Sequence, residues 1–114
     1  MRRNLVELLH ARHPKLDFPW PECDDGWYEL IDRTFYKLQS LDVPLFFTQI
    51  KEKYGELRIY LSGSDAAFNI TDEAEDESHR ICELCGNPGK MCGNHSWWKT
   101  LCHTCAEANN YADV

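Results

Sequence analysis

Four cysteines carry the chemistry that the residue types and spacings of this chain most clearly allow. They stand as Cys82-Glu83-Leu84-Cys85 and Cys102-His103-Thr104-Cys105, with sixteen residues between Cys85 and Cys102. Two residues between cysteines let one tight turn aim both sulfurs at a single point. A second such turn completes the tetrahedron that Zn²⁺ takes from soft thiolate ligands. A redox dithiol or a disulfide also uses the CxxC pattern, but the repeated pair, with Gly86 after the first, favours zinc. Four protein thiolates close the coordination shell and leave no position for water, so one structural Zn²⁺ is expected rather than a catalytic one. Cys92 and His95 lie between the pairs, and either could replace a ligand. The regular spacing argues against that and reads Cys92 as a small buried hydrophobe.

The two turns differ. Gly86 suits a backbone position with φ > 0, as in a zinc knuckle. The second pair opens a helix-like run, Cys102 to Asn109. Between them lies Met91 to Trp97, with Gly93-Asn94 as the expected hairpin tip. Knuckle, hairpin and a helix carrying the last two ligands resemble a treble-clef zinc finger. That scaffold hosts nucleases, ubiquitin-pathway domains, ribosomal proteins and pure interaction modules, so the resemblance implies a frame and no single activity.

Stepping outward from the cysteines, periodicity predicts the elements that hold them. Residues 3–12 read as a short helix with Leu5, Leu8, Leu9 and Arg12 on one face, stopped by Pro14. Phe18 and Trp20 each precede a proline, in a loop expected to lay aromatic surface across the core. The strongest helix spans residues 26–41, with Trp27, Leu30, Ile31, Thr34, Phe35, Leu38 and Leu41 at helical spacing. Residues 45–62 read as a β-hairpin whose wet face carries Lys51, Lys53, Arg58 and Tyr60, a cluster read as a solvated sheet face. Ser62 to Asp65 reads as a turn, and residues 71–80 as a helix capped by Thr71, with Ala74, Ser78 and Ile81 inward.

The fold class is therefore α+β: helices packed on a β-hairpin, with a C-terminal treble-clef-like module. Residues 1–64 form the core, 65–80 an acidic helix, and 81–114 a zinc module packed on that core. A chain of 114 residues fits one such domain.

Twelve basic and nineteen acidic residues give a net charge of −7. The excess sits in one segment, residues 62–79, which holds six acids and no base: Asp65, Asp72, Glu73, Glu75, Asp76 and Glu77. A nucleic-acid binder usually shows a basic footprint, and none is visible, so direct nucleic-acid binding is not expected. An acidic surface suits a protein partner with a basic surface, including one that normally holds DNA or RNA. The candidate contact residues are those six acids with Trp97 and Trp98, of which one is expected to pack inward.

A wider resemblance rests on Gly26-Trp27-Tyr28, on Gln49 through Tyr60, and on Ser78-His-Arg-Ile-Cys-Glu-Leu-Cys-Gly86. These stretches resemble a family of small bacterial and phage proteins, which implies no catalytic residues. Size and charge add an analogy to phage inhibitors of host defence, including anti-CRISPR proteins that occupy surfaces of Cas nucleases. The leading expectation is a non-enzymatic, zinc-stabilised inhibitor or protein-binding module. A nucleic-acid-binding zinc protein using Lys51, Lys53, Arg58, Lys90 and Lys99 is the alternative. An HNH-like nuclease built on Asn94, His95, His103, Asn109 and Asn110 is the third, though the paired histidines it needs are lacking. No apolar run is long enough for a membrane span or a signal peptide, and CxxC pairs want reduced thiols. Both place the chain in a bacterial host's cytoplasm.

Overall fold

The apolar repeat beginning at Trp27 builds the element on which the first half of the chain packs. The computed structural model describes residues 1–114. A single 3₁₀ turn, Asp25–Trp27, leads into α2 (Tyr28–Ser40), which follows α1 (Arg3–Arg12). Trp27, Leu30, Ile31, Phe35 and Leu38 are buried together with Leu9, Phe18, Ile50, Leu57, Ala67 and Ala74. Thr34 is also buried, and its hydroxyl donates to the Leu30 carbonyl at 2.7 Å, so no polar group is stranded there.

The buried stripe of α1 is rotated from the expected one. Val6 and Leu9 are buried and Leu8 is exposed. The rotation brings His13, at the helix end, into the core, where its Nε2 meets Asp32 Oδ1 at 2.6 Å and its ring stands edge-on to Phe35. In the loop that follows, Phe18 is buried but Trp20 stays exposed, so only one of the two aromatics covers the core.

Strands β1 (Phe46–Lys53) and β2 (Glu56–Ser62) pair antiparallel. Strict alternation predicts Phe46, Thr48 and Ile50 on one face. A bulge between Phe47 and Gln49 breaks it, so Phe47 packs on the core with Ile50 while Phe46 is exposed. Tyr54 (φ 52°) and Gly55 (φ 83°) close the hairpin with both central residues left-handed, and Glu52 accepts the Gly55 N–H at 2.8 Å.

Helix α3 runs Asp65–Ser78, starting well before the expected Thr71. Ser64 is the cap, its side chain accepting from Ala67 N–H. Thr71 is mid-helix and donates its hydroxyl to Phe68 O at 3.0 Å. Ala67 is buried against the core, which rewards helix formation over the stretch that reads as a turn in sequence. Ala74 and Ser78 face inward as expected, and the Ser78 hydroxyl accepts the Leu57 N–H at 3.0 Å.

The last third forms a second small sheet in the order β4-β3-β5, from β3 (Lys90–Asn94), β4 (Trp97–Leu101) and β5 (Ala112–Asp113), with α4 (His103–Ala108) between β4 and β5. Its hairpin tip is His95-Ser96, not Gly93-Asn94, because Asn94 pairs with Trp97 and Gly93 lies within the strand opposite Trp98. His95 takes a positive φ of 56° there. The architecture is α+β with two small antiparallel sheets and four α-helices.

Candidate metal centre

Backbone hydrogen bonds shape each cysteine pair. Around the first, the Gly86 N–H donates to Cys82 O at 2.9 Å and the Cys82 N–H to Asn87 O at 2.7 Å. Gly86 takes φ 84°, which a side chain would resist. Around the second, Cys102 is the N-cap of α4, and its sulfur accepts the Cys105 N–H at 3.4 Å. That contact is the first cause of a Cys102 thiol lowered to about 7. The Cys105 thiol is pushed up, first by burial and then by hydrogen bonds with neighbouring sulfurs. Sulfurs this crowded can shed their protons together only when a cation compensates them.

The four sulfurs of Cys82, Cys85, Cys102 and Cys105 lie within 4.8 Å of one another, and Cys85 and Cys102 are 3.6 Å apart. A tetrahedral ion with metal–sulfur bonds of about 2.3 Å sets its ligand sulfurs about 3.8 Å apart. The quartet therefore fits one metal ion. Cys92 is outside it, buried beside Cys82, Leu101 and Ala106 as the small hydrophobe expected from sequence. His95 is exposed on the hairpin turn.

The sequence leads to the expectation that this unit packs on the core, but the contacts that dock it were not legible there. Glu83, between two cysteines, is buried. Its Oε1 accepts from Lys99 Nζ at 3.0 Å and its Oε2 from the Asp24 N–H at 3.1 Å. Burial works to neutralise Lys99, but the attraction of Glu83 outweighs it and holds the ammonium above its usual range. The Cys23 thiol nearby is pushed up to about 12, first by burial and then by the Glu83 charge, so Cys23 is a neutral packing residue. The Gly26 N–H donates to Glu83 O at 2.7 Å, and Trp27 Nε1 donates to Ile81 O at 2.9 Å. A Cβ on Gly26 would collide with the carbonyl oxygens of Cys82 and Glu83. From the other hairpin, Gly55 O accepts the Thr100 hydroxyl at 2.7 Å, while Thr100 O accepts the Glu83 N–H at 2.9 Å.

The acidic segment lies on α3, and four of its six carboxylates already have partners in this chain. Glu73 pairs with Lys37 (3.7 Å), Glu75 with Arg58 (2.9 Å), Asp76 with Arg80 (3.4 Å) and Glu77 with Arg33 (2.9 Å). Asp65 and Asp72 make no ion pair and are exposed. Trp97 and Trp98 are both exposed, at 74% and 43%. The expectation that one packs inward is not met; Trp98, the less exposed of the two, stands opposite Gly93, so no cross-strand side chain lies beside it.

The residues considered for a nuclease do not converge on a second metal group. His103 Nε2 meets Glu107 Oε1 at 2.8 Å on the surface of α4, and the Asn109 amide donates to Cys105 O at 2.8 Å. The cysteine quartet is the one set of three or more His, Cys, Asp or Glu ligand atoms drawn together. No helix is long and apolar enough to cross a membrane. No family model, curated protein or solved structure matches the chain, so its chemistry rests on its own residues.

Proposed function

We propose that the chain is a non-catalytic, zinc-stabilised protein-binding module whose C-terminal unit is a treble-clef finger. The observation that carries the reading is the all-thiolate quartet gathered within 4.8 Å from a knuckle and a helix start. Soft sulfur donors favour Zn²⁺ over harder cations, and four of them leave no open position for a substrate or water. The order of knuckle, β3–β4 hairpin and α4 supports the treble-clef assignment.

The protein contact in this reading is α3, and its partner offers a basic surface. Surface ion pairs are worth only about 0–1 kcal/mol each, so the paired carboxylates of α3 can exchange their internal partners for external ones. The finer reading is an inhibitor from a phage or mobile element, of anti-CRISPR type, acting on a host nucleic-acid-handling enzyme in the bacterial cytoplasm. An anionic helix on a chain of net charge −7 can occupy a surface that otherwise holds nucleic acid. A tagged pull-down from bacterial lysate tests this. Wild type should retain such an enzyme, and a variant with Asp72→Lys and Asp76→Lys should lose it at unchanged metal content. Equal recovery by both chains would contradict the reading, as would metal-dependent DNA cleavage by the chain itself that is lost in His95→Ala.

A further inference from the structure

Two hairpins meet where Gly55 O accepts the Thr100 hydroxyl, and Gly55 approaches Met91 and the Lys99 backbone so closely that a Cβ would crowd them. Beside this junction lies a groove of about 450 Å³, lined by Lys51, Glu52, Lys53, Tyr54, Ser96, Trp97 and Trp98. Tyr54, on the turn of the first hairpin, and Trp97, at the start of β4, are 70% and 74% exposed, large apolar surfaces for residues that are mostly buried. One wall is built on the left-handed turn at Tyr54-Gly55, the other on the paired strands β3 and β4.

The charges in the groove are unspent. Arg58, Lys90 and Lys99, the other cations of these strands, each have a carboxylate partner. Lys51 and Lys53 make no ion pair. The groove's own carboxylate, Glu52, accepts the Gly55 N–H at 2.8 Å and keeps its charge, so the two lysines leave the groove with a net positive charge of one. Lys53 Nζ lies 5.8 Å from the centre of the Tyr54 ring, so cation and aromatic face already stand side by side.

We infer that this groove binds a short single-stranded nucleic-acid segment, with bases stacked on Tyr54, Trp97 and Trp98 and phosphates against Lys51 and Lys53. Exposed rings recognise base faces, and only an unpaired strand offers them, because a duplex hides them in its stack. An acidic peptide would satisfy the lysines but bring no complementary faces to three rings. Two cations on a chain of net charge −7 make the binding modest and steeply salt-dependent, with a log–log slope near about −1.4 for two phosphate contacts on a single strand. The inference departs from the expectation that nucleic acid is not bound directly and takes up Lys51 and Lys53 of the alternative reading, on the ground that the groove sets exposed rings beside them. The protein contact on α3 stands or falls separately, by the pull-down.

The test is fluorescence anisotropy of a labelled oligothymidylate of about eight nucleotides titrated with the full metal-loaded chain. Saturable binding is expected at about 20 mM salt, weakening with the slope above as salt rises. Trp97→Ala should weaken it by about fivefold or more and Trp97→Phe should largely restore it, since one stacked base is worth that much. Lys51→Gln with Lys53→Gln should flatten the salt slope. Metal content and circular dichroism equal to wild type show that each variant is folded, and Tyr54→Ala supplies the same test from the opposite wall. Absence of saturable binding at low salt would overturn the inference, as would unchanged affinity in folded Trp97→Ala and Tyr54→Ala. Equal competition by polyglutamate would reassign the groove to an acidic peptide.

Discussion

Glu83 and Gly26 show how much of the metal unit's placement depends on single atoms. A glutamate between two cysteines reads as a surface residue, because nothing local pairs it. Its partners, Lys99 and the Asp24 N–H, come from distant parts of the chain, so the buried pair is invisible to any local reading. Gly26 is similar, since its lack of a side chain matters only where Cys82 and Glu83 press against it. Gly26→Ala should therefore cost about 1–3 kcal/mol or more in urea unfolding. A wild-type midpoint would contradict the close docking. Asp32 makes a pH prediction. Burial acts to raise its carboxyl, but hydrogen bonds from Arg12 and His13 outweigh it and hold the group below its usual value. A depressed carboxyl stabilises the fold above the unfolded value of about 3.9 and loses that contribution as pH falls through the folded one. Asp32→Asn should cost about 1–3 kcal/mol near neutral pH, with the gap to wild type closing below about pH 4. A gap that persists unchanged in acid would rule this out. The four cysteines, by contrast, were fully legible, because ligand chemistry and tight-turn geometry are both local.

Among the elements, α2 and the β1–β2 hairpin follow from periodicity and turn residues, and they fold where expected, while the tip of the second hairpin lies two residues beyond the expected Gly93-Asn94. The discrepancies have local mechanical causes. The β1 bulge adds one residue and sends Phe47 rather than Phe46 inward, which strict alternation cannot anticipate. Helix α3 begins at Asp65 because Ser64 caps it and Ala67 finds a buried site, whereas the sequence reads Ser62 to Asp65 as a turn and marks Thr71 as the start. Ser64→Ala should therefore destabilise the chain by about 1 kcal/mol, while Thr71→Val should cost less, since no cap is lost there. A thermal melt that ranks the two in the opposite order would place the helix start at Thr71. Ser78→Ala removes the acceptor of the Leu57 N–H in a buried setting and should cost about 1–3 kcal/mol. Amide exchange at Leu57 should quicken in that variant, and unchanged exchange would mean that the bond is unimportant.

At the scale of the molecule, the four-cysteine unit joins its own sheet to the core and to the β1–β2 hairpin. The knuckle at Cys82–Gly86 receives the turn before α2, and β4 receives the turn of the β1–β2 hairpin. Small chains bury modest cores, and under the proposed reading a metal held by the four cysteines would add folding free energy to that of the apolar clusters. Chelation should therefore loosen the tip around Tyr54-Gly55 and the start of α2 as well as the C-terminal third. Amide exchange confined to residues 81–114 after chelation would argue for an independent appendage. The most direct measurement is the metal content of the purified, reduced chain. The account predicts about one zinc per chain, none in Cys102→Ser, and loss of order in the C-terminal third of that variant. A wild-type chain that is fully folded without metal would contradict it.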